Sequence, residues 1–280
     1  MALPKNHLFS NCEHFNRILF YTYCIMENID MEITETSTPK LIFIVPYRDR
    51  QQQYEFFSKQ MATVLAGVSH RILYIHQTDQ RPFNRGALKN IGFLTVKSMY
   101  PDTYTDITLV FNDIDTMPYT AGFFDYETQK GVVKHFYGFT FALGGIVSMN
   151  AADFERINGF PNFWAWGYED NMLNQRVNEH GIRIDRSKFY PILDKNILHL
   201  QDGVTRAVNK TEYDIYKART QEGINTLSDI STTMDNEFVN VAGFSTGREL
   251  DMATNKTHDL RTGNVPFPGS RRRPVMGMRF

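Results

Sequence analysis

Cysteine is almost missing from this chain: Cys12 and Cys24 are the only two in 280 residues, and both lie near the start. That excludes a disulfide framework beyond one local bridge and fits a reducing compartment. An excess of one charge is missing too, since 30 basic residues stand against 31 acidic ones. The balance gives no general attraction to nucleic acid or to an anionic membrane, and favours a small or neutral substrate. No apolar run is long enough to cross a bilayer. The strongest near the start, "ILFYTYCIM", reaches about half the length of a spanning helix before polar sequence follows. No small-residue cleavage site comes after it, so it reads as a peripheral amphipathic segment and not as a secretory signal. Neither a P-loop nor a kinase-type glycine loop occurs, which removes the usual signatures of phosphoryl transfer.

What is present is enough apolar sequence, 42%, for one sizeable core. Residues 1–39 read as an extension and linker, because "NIDMEITETSTP" is polar and ends in proline. "KLIFIVPY" is then the first confident strand. Tyr54, Phe57, Met61, Val64 and Leu65 recur at helical spacing up to a stop at Gly67. "RILYIHQ" is a second strand, Leu88, Ile91, Leu94 and Thr95 mark a second helix, and "ITLVFN" is a third strand of the kind buried on both faces. Strand, helix, strand, helix, strand implies right-handed crossovers and a parallel, Rossmann-like α/β sheet. Further on, "AADFERIN" is a short helix capped by Asn150 and ended by Gly159, and another helix runs from Glu169 to Gly181. The sequence beyond residue 236 is expected to be an aperiodic, flexible extension ending in a basic cluster.

In such sheets ligands gather at the carboxyl ends of the strands. There "LVFNDIDTMP" sets Asp113 and Asp115 on either side of Ile114. If the segment stays extended, both carboxylates face one side, with roughly 7 Å between their Cα atoms. They are either turn formers at a loop start or a pair sharing a divalent cation with oxygen ligands. "GFPNFWAWGYEDN" places the only two tryptophans just before Glu169 and Asp170. These acids are either helix-capping charges beside core tryptophans, or a general base next to an aromatic wall on which a sugar stacks. Arg48 and Arg50 in "PYRDR", and Arg85 in "FNRGALKN", stand where a diphosphate would approach, or are simply solvated. His199 is a possible third metal ligand or a structural histidine.

Taken together and in this order, "PYRDR", "FNRGALKNIGF", "FNDIDTMP", "LGGIVSMN", "INGFPNFWAWGYEDN" and His199 resemble the β-1,4-galactosyltransferase family of inverting, metal-dependent GT-A glycosyltransferases. The "INGFP…W.WG.ED" run carries most of the specificity. The resemblance implies a GT-A fold over residues 40–235, with a nucleotide-binding half at 40–135 and an acceptor and catalytic half at 136–235. It implies that Pro46, Tyr47, Arg48, Arg50, Phe83 and Arg85 line the uridine and phosphate pocket. Asp113 lies on the donor's ribose and sugar side, with Ile114 as spacer, while Asp115 and His199 hold the metal, manganese or else magnesium. Gly144 and Gly145 let the donor sugar approach the backbone. Trp166, Gly167 and Glu169 shape the sugar and acceptor site, and Asp170 is the base. The implied partners are a UDP-sugar donor and a glycan or glycoconjugate acceptor.

Three departures from the family pattern matter. Asn196 stands where a methionine ligand is usual, a harder donor that favours magnesium. Ala142 replaces a tyrosine of galactose-specific members and leaves space for an N-acetylated donor sugar. Tyr168 and Asn171 replace a glycine and an acid. With few cysteines and no anchor seen, the expectation is a cytoplasmic enzyme of viral or microbial origin, in the host cytoplasm if viral. The sequons at Asn209 and Asn255 are then incidental. The competing expectation is a module that binds nucleotide sugars or glycans and has lost catalysis.

Overall fold

A computed structural model describes residues 38–200, 203–262 and 265–267. Cys12, Cys24, the apolar segment near the start and the basic cluster near the end lie outside the described residues. The described residues fall within one compact unit.

The first strand, β1 (Leu41–Tyr47), is buried along its whole length. Its alternation divides the core: Ile42 and Ile44 enter one apolar cluster, while Leu41, Phe43 and Val45 enter the other. A strand that faces a layer on each side has no polar face to spare, hence the unbroken run "LIFIV". Helix α1 (Gln51–Val64) covers one side with Phe57, Met61 and Val64. After β2 (His70–Gln77), helix α2 (Arg85–Met99) covers the other with Ala87, Leu88, Ile91 and Val96. β3 (Thr108–Asn112) and β2 both pair parallel to β1, as the alternating pattern requires.

Beyond β3 the sheet changes direction. After the short β4 (Thr116–Pro118), β5 (Val132–Gly138) and β6 (Ile146–Asn150) form an antiparallel pair, and β6 lies antiparallel to β3. The expected halves at 40–135 and 136–235 therefore share one sheet. Asn150 caps helix α3 (Ala151–Arg156) by accepting from the amides of Ala152 and Asp153. Helix α4 (Glu169–Glu179) follows, then the short strands β7 (Arg183–Asp185), β8 (Tyr190–Pro191) and β9 (Ile197–His199). β10 (Thr205–Asn209) and α5 (Lys210–Lys217) lead to the hairpin of β11 (Ser228–Asp235) and β12 (Phe238–Ser245), and then to β13 (Asn255–Asp259). The nine-stranded sheet runs β11-β12-β2-β1-β3-β6-β5-β7, with β8 also on β5.

The expectation of a flexible extension from residue 236 is corrected here. β12 pairs parallel with β2, and Val239 and Val241 are fully buried against α2 and its neighbours. β13 pairs with β10. The physical reason lies in "FVNVAGF", whose alternation fills one face of a strand once β2 offers an open edge. Among the described residues, no helix is long and apolar enough to cross a membrane.

Candidate active site

The amino ends of α2 and α4 face each other, and their first turns carry opposite charge. Asn84 caps α2 by accepting from the amide of Ala87, and its own amide nitrogen donates to the Asn162 carbonyl, so the cap also ties the helix start to the tryptophan loop. Arg85 is ion-paired to Asp113, and its Nε lies 3.0 Å from Glu169 Oε1. One turn further on, Lys89 is only 2% exposed and donates from Nζ to Asp170 Oδ1 at 2.9 Å. Two cations in the first turns of a helix oppose its macrodipole, whereas Glu169 and Asp170 suit the start of theirs. The cross-pairing offsets that cost. Burial opposes the Arg85 charge, but Asp113 and Glu169 outweigh it and raise its pKa. The Asp170 carboxyl is pushed up to about 6, chiefly by burial. Lys89 and Arg85 pull against that rise, and Glu169 and Asp113 add to it.

The D-x-D triplet does not stay extended. β3 ends at Asn112, and a turn closes with the amide of Thr116 donating to the Asp113 carbonyl at 3.2 Å. Asp113 thereby goes to Arg85, and Asp115 goes to the segment bearing His199. β4 and β9 pair with Thr116 opposite His199, and the Leu200 amide donates to the Asp115 carbonyl at 2.8 Å. Burial, and then Asp113, push the Asp115 carboxyl up, while Arg85, His199 and Arg50 counter it. The His199 Nδ1 lies 3.2 Å from the Tyr137 hydroxyl. With the proton on Nδ1, that contact orients the ring and leaves the Nε2 lone pair to ligate a metal. Among the described residues no group of three or more His, Cys, Asp or Glu side chains is arranged to hold a metal. Asp115 and His199 make an oxygen and nitrogen pair that suits a borderline divalent ion completed by ligand oxygens and water. Asn196 is exposed and its amide is engaged with Asp194.

A cavity of about 760 Å³ adjoins these groups, lined among others by Arg48, Arg50, Phe83, Arg85, Trp166 and Arg206. A smaller one, of about 260 Å³, is lined by Pro46, Arg48, Arg50, Phe83, Arg85, Asp113, Ile114 and Asp115. Arg48 is fixed by the carbonyls of Asp79 and Arg81 and lies over the Phe83 ring, 5.2 Å from its centroid. Tyr47 turns away into a ring cluster with Tyr54, His76 and Phe238. Glu169, Asp170 and His199 lie outside both linings; Arg85 joins the acids to them.

The loop from β5 to β6 closes on Asp170 from the other side. A Cβ added at Gly144 would lie 2.2 Å from Asp170 Oδ2, so only glycine leaves that oxygen its place. Gly145 has φ +74°, and its carbonyl accepts from the Asp113 amide at 3.1 Å. Ala142 is buried, beside an exposed pair of stacked rings, Phe139 and Phe141. His135 braces the loop: its Nε2 lies 3.1 Å from the Gly144 carbonyl, and its Nδ1 accepts from Arg186. Burial and Arg186 hold it neutral, with its pKa down to about 4. The two tryptophans divide, Trp164 into the core and Trp166 onto the larger cavity. Gly167 has φ +106° at the turn before α4, and Tyr168 is left-handed at φ 73° and stacks on Tyr216.

The region with this geometry is also the region of likeness to known proteins. The description "N-terminal region of glycosyl transferase group 7" matches residues 34–122, and "N-terminal domain of galactosyltransferase" matches 133–200. Together they take in the D-x-D turn, the glycine loop, the acids of α4 and His199. The chain belongs to the β-1,4-galactosyltransferase family. It is 33% identical over 170 residues to a xylosylprotein 4-beta-galactosyltransferase of Caenorhabditis elegans, covering 56% of this chain and 57% of the relative. To beta-1,4-galactosyltransferase 7 of Drosophila melanogaster it is 28% identical over 164 residues, covering 54% and 48%. The chain thus spans about half the length of the curated relatives it matches. The catalytic domain of the Drosophila enzyme, solved with xylobiose, superposes with a TM-score of 0.58 at 20% identity, covering 73% of this chain and 94% of that one. This likeness establishes the GT-A fold. A mutant of that enzyme, solved with manganese, UDP-Gal and xylobiose, superposes equally well.

The family corrects one expectation. The matched relatives are animal β-1,4-galactosyltransferases, enzymes of the Golgi type, so the cytoplasmic placement inferred from sparse cysteine does not stand. Sequence reasoning also missed three side chains. Lys89 had a signal, its i, i+4 spacing from Arg85. Arg206 had none, because β10 shows no pattern that aims it at the cavity. Tyr137 was hidden within an aromatic run.

Proposed function

We propose that this chain is an inverting galactosyltransferase-type enzyme that moves galactose or N-acetylgalactosamine from a UDP-sugar to a hydroxyl of a glycan or glycoconjugate. The observation that carries the reading is the paired helix starts, which put a half-buried carboxylate, Asp170, between a buried ammonium and a side-chain-free backbone. A carboxylate raised to about 6 is still ionised at neutral pH and is a stronger base than an ordinary aspartate. Asp170 takes the proton from the acceptor hydroxyl as that oxygen bonds to the donor's anomeric carbon. The bond from that carbon to the diphosphate breaks on the opposite face, and UDP leaves with the electron pair. One displacement inverts the centre, and no covalent nucleophile is used.

Asp115 and His199 are the residues that would hold a divalent ion, manganese or, given Asn196, magnesium. When bound, it supplies positive charge to the departing diphosphate. Arg48 and Arg50 add charge toward the same group, with Phe83 supporting Arg48. Asp113 faces the donor's ribose and sugar, held in place by Arg85. Trp166, Gly167 and Glu169 frame the acceptor side, and Gly144 and Gly145 admit the donor sugar.

A screen of UDP release across nucleotide sugars, with manganese or magnesium and a panel of glycan acceptors, tests the reading. Acceptor-dependent release from UDP-galactose or UDP-N-acetylgalactosamine supports it. UDP binding without release in every combination would leave only a binding module.

A further inference from the structure

We propose that Lys89 is a positioning residue for the base: its ammonium holds Asp170 Oδ1, so that Oδ2, lying over Gly144, is the oxygen presented to the acceptor hydroxyl. The inference rests on the reading of Asp170 as the base.

A carboxylate can rotate and can present either oxygen. Here the choice is made by two contacts on opposite sides. Nζ of Lys89 donates to Oδ1 at 2.9 Å, and Gly144 offers no Cβ where Oδ2 sits. The lysine is itself fixed. Its side chain is 2% exposed, and Nζ lies 4.4 Å from the centroid of the Phe160 ring, a cation–π contact out of water. An ammonium so far from solvent is expensive unless paired, and the carboxylate paired with it is Asp170, the proposed base. A purely structural ion pair would fit anywhere along α2. Lys89 instead occupies the turn after Arg85, so that one helix face handles both acids of the α4 start.

Lys89 also sets when the base is available. The charged groups facing Asp170 are Lys89 and Arg85 from α2, Glu169 from its own helix and Asp113 from the turn after β3. Of the two cations, Lys89 is the one in direct contact with it. Removing that charge leaves only Arg85 to oppose burial, Glu169 and Asp113, so the carboxyl moves further toward its neutral form. The acid limb of kcat/KM must then move to higher pH.

The test is the pH profile of transfer by the full chain for Lys89→Met, read beside binding of UDP with manganese. The expected result is an acid limb displaced upward by about one pH unit or more, with transfer at pH 6.5 down about threefold or more, the deficit narrowing by pH 8.5 and donor KM little changed. An acid limb left where the unmodified chain has it, with UDP binding intact, overturns the inference. Should Lys89→Met lose UDP binding through misfolding, Lys89→Arg decides. Retention of the charge should keep the limb in place, whereas a displaced limb would overturn the proposal. Failure of both variants to fold would overturn it as well, because Lys89 would then be a structural cation. Asp170→Asn separates the two readings: transfer surviving that change removes the base itself, whereas its loss beside an unmoved limb in Lys89→Met removes only the role of Lys89.

Discussion

The Arg85 guanidinium is ion-paired with Asp113, so the first acid of the D-x-D triplet carries its own counter-charge from within the protein. The second acid is turned toward the segment bearing His199, and the charges that offset its burial are Arg85 at longer range, then His199 and Arg50. Two aspartates that look equivalent in sequence thereby differ: Asp113 is ion-paired to a cation on α2, whereas Asp115, just before β4, lies beside the β4–β9 ladder that carries His199.

Arg85→Met should damage both fold and chemistry. It strands Glu169 and Asp113 without the cation between them, and breaking a pair this sheltered costs about 3 kcal/mol. A melt should show a fall on the order of 10 °C, with transfer lost by at least about a hundredfold. Normal melting would mean that the acids are solvated in solution.

The pH profile has a definite sign. The folded value for Asp170, about 6, lies above its ordinary 3.8. The proposed base is its ionised form, so kcat/KM should climb about tenfold per pH unit up to about 6 and then flatten. The same shift acts against stability. The penalty for ionising this carboxyl is absent below 3.8 and complete above 6, so Asp170 makes unfolding easier as pH rises through that window. Steady-state rates from pH 5 to 8 check the first statement, and denaturant midpoints over pH 3.5 to 7 check the second.

Ala142 bears on the donor. It is buried in the loop that carries Gly144 and Gly145, so a larger side chain there must project into neighbouring space. Ala142→Tyr is expected to lower the ratio of N-acetylgalactosamine to galactose transfer by about tenfold or more, measured as UDP released from each donor. A ratio that stays constant would detach this position from donor choice.

Truncation after Glu237 should abolish the soluble fold. It removes the parallel partner of β2 and uncovers the faces on which Val239, Val241 and Phe244 pack. Soluble expression with a cooperative melt would contradict the place given to β12.

Much of the fold was legible because burial on two faces and helical periodicity are local properties. "LIFIV", "LVF" and the Leu88, Ile91 spacing state their elements without help from distant sequence. β12 was not legible, although "FVNVAGF" alternates, because a proline- and glycine-rich sequence follows it and nothing local says that β2 has a vacant edge. The site was legible in its acids and obscure in their partners. Asp113, Asp115, Glu169 and Asp170 stand in short, distinctive runs, whereas Lys89 lies inside an ordinary amphipathic helix and becomes notable only when α4 is laid against it. The extended reading of the D-x-D triplet failed for a related reason: the turn is set by the Asp113 carbonyl, its Thr116 donor and the β4–β9 ladder, none of which a three-residue motif contains.

His76 lines the larger cavity, and its Nδ1 meets Asn240 Oδ1 at 2.9 Å across the junction of β2 and β12. The cavity wall is therefore finished by a strand that emerges from the ribosome well after the acids, the glycine loop and His199. Until then β2 is an unpaired parallel edge, open to any strand that comes by. The nascent chain passes through an interval in which the residues of the candidate site exist but its sheet can still be completed by the wrong partner.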